Sequence, residues 1–369
     1  MSGVQRHALT YFGTAGLLTL LLSGALILIL VKNYNQDRVI DLGLAAVALI
    51  SYATAQALLI TAVTTYIATR KGYAPPPMPQ IPKAKTVALI PAYNEAGRVG
   101  KIVEEARKYV DLVIVVDDGS IDSTAEEAQR AGAVVIRHHA NMGYGAAVKT
   151  LLYAALKAEA EYAVLLDADG QHDPRDIPKF LEALKTADIA IGNRFAAGKT
   201  PTYRAVGIKT IKATLKILGI KAEDPENGYR AFTRKAIETL LPALEETWMG
   251  ISSQTVFYAA KKKLKIASVP TAVTYGPDTS TESPLKHGLS IIWSIIWTTL
   301  TYNPQLTAGL AAGTLATSIG LILYTVHLFN STRYIRLTYT ALALILETVA
   351  VILAAITITK IITQTKQKL

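Results

Sequence analysis

Uncharged apolar runs lie at both ends of the chain, and nearly all acidic positions fall between about residues 85 and 285. Leu9 to Val31 carries no charge over roughly 23 residues, longer than the 7 to 15 of a signal-peptide core and enough to cross about 30 Å of hydrocarbon. It predicts a retained transmembrane helix. After the polar link Lys32 to Arg38, Leu42 to Thr69 is a second uncharged stretch, long enough to span with some tilt. Leu306 to Leu328 and Leu337 to Thr359 form another pair, joined by the short turn 330–334. The expected organisation is an N-terminal membrane hairpin over 1–71, a soluble domain over 72–285, and an interfacial helix with a C-terminal hairpin over 286–369.

The middle has a different rhythm. Short β-branched runs at Val87 to Ile90, Leu112 to Val116, Val134 to Arg137 and Tyr162 to Leu166 alternate with helical periodicities. Those helices are expected at Val99 to Tyr109, Thr124 to Arg130 and Ala146 to Lys157. Strands apolar at every position, as in Leu112 to Val116, belong to a parallel sheet covered by helices on both faces. The expected fold class is therefore α/β, doubly wound, with a mostly parallel sheet. Ligands of such sheets bind beyond the carboxyl ends of the strands. Three polar clusters fall there: Pro91-Ala92-Tyr93-Asn94-Glu95, Asp117-Asp118-Gly119-Ser120, and Asp167-Ala168-Asp169-Gly170-Gln171-His172.

Composition sharpens this division. Of 369 residues 51% are apolar and 18% charged, against about 25% charged in an average soluble domain. The shortfall lies in the terminal runs, which excludes one compact soluble protein. A net charge of +10 suits a protein that meets anionic lipid, phosphate or nucleic acid. The chain has no cysteine, which removes disulfides, thiolate nucleophiles, iron–sulfur clusters and Cys-type zinc sites. Lys and Arg crowd one side of the four spans (Arg6, Arg70, Lys71, Lys83, Lys85, Lys286, Lys360, Lys366, Lys368), while only Lys32, Arg38, Arg333 and Arg336 flank the other. By the positive-inside rule both termini and the central domain are expected in the cytoplasm of a multi-pass cell-membrane protein. The Pro-rich stretch 74–79 reads as a stiff spacer. Glu347, inside the last span, reads either as a functional intramembrane acid or as a protonated packing residue.

The strand-end clusters have chemical uses. In Asp167-Ala168-Asp169 the i, i+2 spacing before a turn glycine can aim two carboxylates and the Gln171 amide at one hard cation, Mg2+ or Mn2+, that holds a diphosphate. The same residues also suit an ordinary solvated turn. Asp117 and Asp118 can accept from a base or ribose, and Tyr93 can stack on the base. Asn141-Met142-Gly143-Tyr144-Gly145 opens a helix whose amides can face a phosphate. Its continuation lacks the third glycine of a dinucleotide fingerprint, and no Walker pattern occurs. Arg204 to Leu218 places Lys209, Lys212 and Lys216 on one helical stripe and Ile211, Leu215 and Leu218 on another. Such a helix can lie in the headgroup layer or on the surface of the domain. Trp293 and Trp297 have the spacing of an interfacial anchor. His138, His139 and His287 have no assigned role and are expected at surface or loop positions.

Taken in order, the clusters resemble the inverting family-2 glycosyltransferases of the GT-A fold, in the branch of dolichol-phosphate mannosyltransferase and polyprenyl-phosphate glucosyltransferases. Gly192-Asn193-Arg194 is similar to that family's Gly-x-Arg, and 227–232, Asn-Gly-Tyr-Arg-Ala-Phe, to its Ser-Gly-Phe-Arg segment. The resemblance implies that Pro91, Tyr93, Glu95, Asp118, Asp167 and Ala168 hold the nucleotide, with Asp167, Asp169 and Gln171 at the metal. It also gives Asp169, Arg194 and Arg230 catalytic roles and places Arg204, Lys209 and Arg230 at the acceptor phosphate. The implied reaction moves one hexose from GDP-mannose or UDP-glucose to a polyprenyl (dolichyl) phosphate, making a lipid-linked donor for glycosylation. Membrane lipid is a further expected partner and nucleic acid is not; assembly with further copies of the chain stays open. The processive Gln-x-x-Arg-Trp signature is missing at Gln254 to Tyr258, which fits single-sugar transfer. A phosphate acceptor, already largely ionised at neutral pH, needs no general base. Two other readings stay open. One is transfer to a lipid hydroxyl, with Asp224 or Glu226 as base; the other is a non-catalytic scaffold that binds nucleotide sugar.

Overall fold

The computed structural model describes residues 8–69, 73–197, 212, 215–216, 220, 222–245, 250–272, 294–332 and 337–366. In chain order the elements are α1 (Thr14–Asp37), α2 (Leu42–Thr69), β1 (Thr86–Ala92), α3 (Val99–Ala106), β2 (Leu112–Asp117), α4 (Thr124–Arg130), β3 (Val134–Arg137) and α5 (Tyr144–Lys157). They continue with β4 (Tyr162–Leu165), α6 (Ile177–Ala183), β5 (Ile189–Asn193), β6 (Arg230–Thr233), α7 (Arg234–Leu240), α8 (Ile251–Lys261), β7 (Ile266–Pro270), α9 (Pro304–Thr332) and α10 (Leu337–Lys366). Two compact units result. One is Met1–Lys71 with Trp297–Leu369, the other Gly72–Ile296.

The second unit is built on a seven-stranded sheet of order β3-β2-β1-β4-β6-β5-β7. The pairs β1–β2, β1–β4, β2–β3 and β5–β7 are parallel, which is the doubly wound sheet expected from the apolar runs and the GT-A-like arrangement implied by the family resemblance. Alternate residues of each strand enter opposite cores. Val87, Leu89, Ile114 and Val116 pack with Leu151, Phe232 and Phe257 on one face. Ala88, Ile90, Val113 and Val115 pack with Val99, Val103, Phe180 and Tyr229 on the other. Burial on both faces confines polar residues of β1 and β2 to the strand ends, so the runs between read as continuous.

One strand breaks the parallel pattern, and the site depends on it. β6 is antiparallel to both β4 and β5, with Arg230 opposite Leu165 on one side and Ile191 on the other. A strand that runs the other way is entered from the carboxyl edge of its neighbours. The segment 224–229 is thereby delivered to the edge where ligands bind. At four residues, led by an arginine, β6 carries little periodic signal of its own.

In the first unit, among the described residues, four helices are long and apolar enough to cross a membrane: Tyr11–Asp37, Leu42–Thr65, Pro304–His327 and Ala341–Ile361. Many of their large side chains point outward, with Leu18, Leu21 and Leu42 among those most exposed. Small and hydroxyl residues face inward, as helix packing in lipid requires. Ser23 Oγ donates to Ala48 O at 3.0 Å and Ser318 Oγ to Ala343 O at 2.8 Å. Between α2 and α10, Gln56 Nε2 donates to Thr348 Oγ1 at 2.9 Å, and the Tyr52 hydroxyl to Leu344 O at 3.2 Å. The protein is a multi-pass membrane protein that also carries an α/β unit.

Gly119, in the turn after β2, has φ +76°, and a Cβ there would stand 2.5 Å from the backbone carbon of Ala140. Gly119→Ala combines a left-handed conformation with a backbone clash and should cost at least about 2 kcal/mol. Thermal unfolding of the purified variant measures it; an unchanged midpoint would contradict the tight turn.

Candidate active site

The site grows from the end of β4. Beyond Leu166 the chain turns at Gly170 (φ +82°), and Asp169 Oδ1 accepts from the Gln171 amide at 2.9 Å. Asp167 Oδ1 accepts from the Tyr144 hydroxyl at 3.2 Å, and its backbone amide donates to His172 Nδ1 at 3.1 Å. Because Nδ1 accepts, the His172 ring is neutral, and burial holds its pKa down to about 4. The approach of His172 to Asp167 at 3.5 Å is therefore no ion pair. Gly228 closes the far wall: a Cβ there would lie 2.7 Å from Asp167 Oδ2 and 3.2 Å from the Tyr144 hydroxyl oxygen.

Acids predominate at this corner. Burial raises the Asp167 carboxyl to about 6, against the opposing pull of the Tyr144 hydrogen bond, Arg194 and Arg230. Asp169 is raised by burial and then by Asp167. Glu95 is raised by burial, lowered by Arg98 and raised again by Asp169. Mutual repulsion of half-buried carboxylates is relieved by a cation, so the donor set fits a hard divalent ion. Among the described residues no three acidic or imidazole side chains group closely enough to enclose one. Asp167, Asp169 and Gln171 would then supply part of the shell, and diphosphate and water the remainder, which is how Mg2+ is usually held.

The neighbouring loop is stitched residue by residue. Successive amides of Asn94, Glu95, Ala96 and Gly97 donate to Ser120 Oγ (2.9 Å), Thr124 Oγ1 (2.8 Å), Asp122 Oδ2 (3.2 Å) and Glu127 Oε2 (2.6 Å). Asn94, at φ 55°, returns a bond from the Ile121 amide to its own Oδ1. This frame holds Glu95 against Arg98 at 2.7 Å and leaves Tyr93 exposed at 44%, open to stack on a base. Pro91 and Ala168 are buried, so only their backbone can line a ligand.

The carboxylates of Asp117 and Asp118 are occupied by the protein. Asp118 accepts from the amides of Met142 (2.9 Å) and Gly143 (2.8 Å) and from His138 Nδ1 (2.5 Å). Asp117 accepts from the Ser120 amide and lies 3.0 Å from Arg137 Nε. The amides before α5, expected to face a phosphate, thus face Asp118. His138, expected at the surface, is buried at its centre, while His139 is exposed and His287 lies outside the described residues.

The arginines divide. Arg194 Nε donates to Asp224 Oδ2 at 2.7 Å, which also accepts from Asn227 Nδ2 at 3.2 Å; its charge still reaches Asp167 and His172. Arg230, 2% exposed, spends its guanidinium on the carbonyls of Asn227, Ser252 and Pro225. That geometry makes it the brace of the 224–229 segment. Arg204, Lys209, Ile211, Leu218 and Trp293 lie outside the described residues. Leu215 packs in the domain core, so there the apolar stripe faces the protein, and Lys212 pairs with Glu223 at 2.7 Å. Sequence reasoning did not assign roles to Tyr144, His172, Gly228 and His138. Tyr144 within 141–145, His172 within the acidic cluster and Gly228 within 227–232 each lay in a segment with a local signal, and His138 did not.

Comparison with known proteins accords with this geometry. Residues 87–241 match the profile described as Glycosyl transferase family 2. The chain is 32% identical to Glycosyltransferase AglJ of Haloferax volcanii, over 65% of this chain and 80% of that one. It is 30% identical to the UDP-N-acetylglucosamine–dolichyl-phosphate N-acetylglucosaminyltransferase of Methanococcus voltae, over 55% and 89%. It is also 30% identical to the polyprenol monophosphomannose synthase of Mycolicibacterium smegmatis, over 52% and 78%. Relatives at this identity, aligned over most of their length, together with a profile match that spans the strands carrying the acidic corner, place the chain in glycosyltransferase family 2.

Proposed function

We propose that the protein transfers a single hexose, with inversion, from GDP-mannose or UDP-glucose to a polyprenyl (dolichyl) phosphate, with Mg2+ or Mn2+ as cofactor. The observation that carries this reading is the pair Asp167 and Asp169, half-buried, mutually repelling and set at the carboxyl edge of the sheet. The relatives that act on dolichyl or polyprenol phosphate support the acceptor class. Four membrane spans suit an acceptor whose tail stays in lipid.

A cation at Asp167, Asp169 and Gln171 would neutralise the departing nucleoside diphosphate. The chain's own groups do the remainder. Tyr144, the His172 ring and Gly228 fix the direction of Asp167, and Arg194, set by Asp224, adds positive charge on the same side. Tyr93 and the stitched 94–97 frame receive the nucleoside. An ionised acceptor phosphate aligned with the anomeric carbon displaces the diphosphate directly and inverts that centre. We also place both termini and the catalytic unit in the cytoplasm, from the distribution of Lys and Arg around the spans.

One observation favours the hydroxyl-acceptor reading. Burial raises the Glu226 carboxyl to about 7, near the ideal for a general base, and it touches the Ser253 hydroxyl. Asp224 is no such candidate, being buried against Arg194 and Asn227.

Three experiments test these statements. Asp169→Asn should abolish formation of labelled product lipid from GDP-mannose or UDP-glucose while the unfolding midpoint stays within about 3 °C; undiminished turnover would refute the cation assignment. Glu226→Gln should keep most activity with polyprenyl phosphate and leave the pH–rate profile unchanged. A loss of about a hundredfold or more, with wild-type rate falling as pH drops below 7 and Glu226 takes up its proton, would instead support a hydroxyl acceptor. Because the chain has no cysteine, a single probe reads orientation cleanly: Asn35→Cys should react with impermeant maleimide on intact cells and Lys101→Cys only after lysis, and the reverse would invert the topology.

A further inference from the structure

Tyr73, four residues beyond Thr69 in sequence, enters a buried polar relay that the transfer chemistry does not itself require. Its hydroxyl contacts Thr150 Oγ1 and lies 3.4 Å from His138 Nε2. His138 Nε2 is in turn 2.9 Å from Thr150 Oγ1, and its Nδ1 donates to Asp118 at 2.5 Å. Asp118 holds the amides of Met142 and Gly143, and the next residue, Tyr144, reaches Asp167. Thr150 Oγ1 also lies 3.1 Å from Ala146 O. The hydroxyls of Thr150 and Tyr73 bring two protons to this cluster, where Nε2 and the Ala146 carbonyl are acceptors. Without the Tyr73 proton, one of those buried acceptors loses its hydroxyl donor, which is costly away from water. Burial raises the Tyr73 phenol to about 12, so it remains a donor at neutral pH. The aromatic ring acts separately from the hydroxyl, lying 4.6 Å from Nζ of Lys149, a lysine only 1% exposed.

We propose that Tyr73 is a positioning residue for the donor site: its hydroxyl completes the relay through His138 to Asp118 and thereby fixes the 142–144 turn that directs Tyr144 at Asp167. The inference rests on reading the Asp167 corner as the donor site. It makes the geometry of that corner depend on the segment that leads from α2 into β1.

The test uses the full-length protein in lipid nanodiscs with Tyr73→Phe, which keeps the ring over Lys149 and removes only the hydroxyl. Hydrogen exchange at the amides of Met142 and Gly143 should accelerate roughly fivefold, the scale of one buried hydrogen bond, while the amide of Leu89 in β1 is unchanged. The KM for nucleotide sugar should rise by a similar factor, with kcat and the KM for polyprenyl phosphate within about twofold. Thr150→Val, which interrupts the relay at its next link, should reproduce the exchange signature. Unchanged exchange at 142–143 in both variants would overturn the proposal, as would acceleration spread evenly over the domain. Exchange is read without turnover, so a protein that transferred no sugar would refute the proposed function and leave the relay to be judged by exchange.

Discussion

Two carboxylates held partly out of water at the end of one strand are the constraint around which this domain is arranged. An isolated acid at such a depth either takes up a proton or finds positive charge. Asp167 and Asp169 each make the other's ionisation harder, and Glu95 adds a third charge nearby. The surrounding structure tolerates this strain through donors aimed at the acidic segment: the Tyr144 hydroxyl, the Gln171 amide and the long-range field of Arg194. These donors fix the oxygens without removing their charge. That is the condition a site needs if it is to attract a divalent ion together with the diphosphate it neutralises.

The frame beyond that corner is made almost entirely of side chains caught by backbone amides. Ser120, Asp122, Thr124 and Glu127 take consecutive amides of the preceding loop, and Asp118 takes those that open α5. Loops at the carboxyl edge of a parallel sheet have unpaired amides and little regular structure to satisfy them. Here each loop is the acceptor set for its neighbour, which yields rigidity without secondary structure. The polar motif between β2 and α4 is thus explained as scaffold, and Tyr93 remains exposed beside it.

The membrane unit follows a different rule. Its cohesion comes from close approach at small residues and from a few interhelical hydrogen bonds, such as Ser23 to Ala48 and Gln56 to Thr348, because lipid gives apolar side chains no reason to turn inward. The outward Leu and Ile that would be anomalous on a soluble domain are expected there.

Local pattern alone determined a good deal. Charge-free length marks the spans, continuous apolar runs mark strands covered on both faces, and the turn glycine after Asp167-Ala168-Asp169 marks a loop that can present two acids. Each of these is a statement about a residue's own burial or backbone, which periodicity encodes. Partnership is not encoded that way. Arg230 reads as a candidate phosphate ligand until the antiparallel insertion of β6 buries it among carbonyls. His138 reads as a loop histidine until β3 and α5 close over it. Gly228 and Tyr144 meet Asp167 only because strands distant in sequence are paired in one register. Which side chain faces a ligand and which one holds that side chain in place was decided by the tertiary structure, since a hydrogen bond between segments dozens of residues apart depends on how the sheet is assembled and leaves no trace in either segment's own pattern.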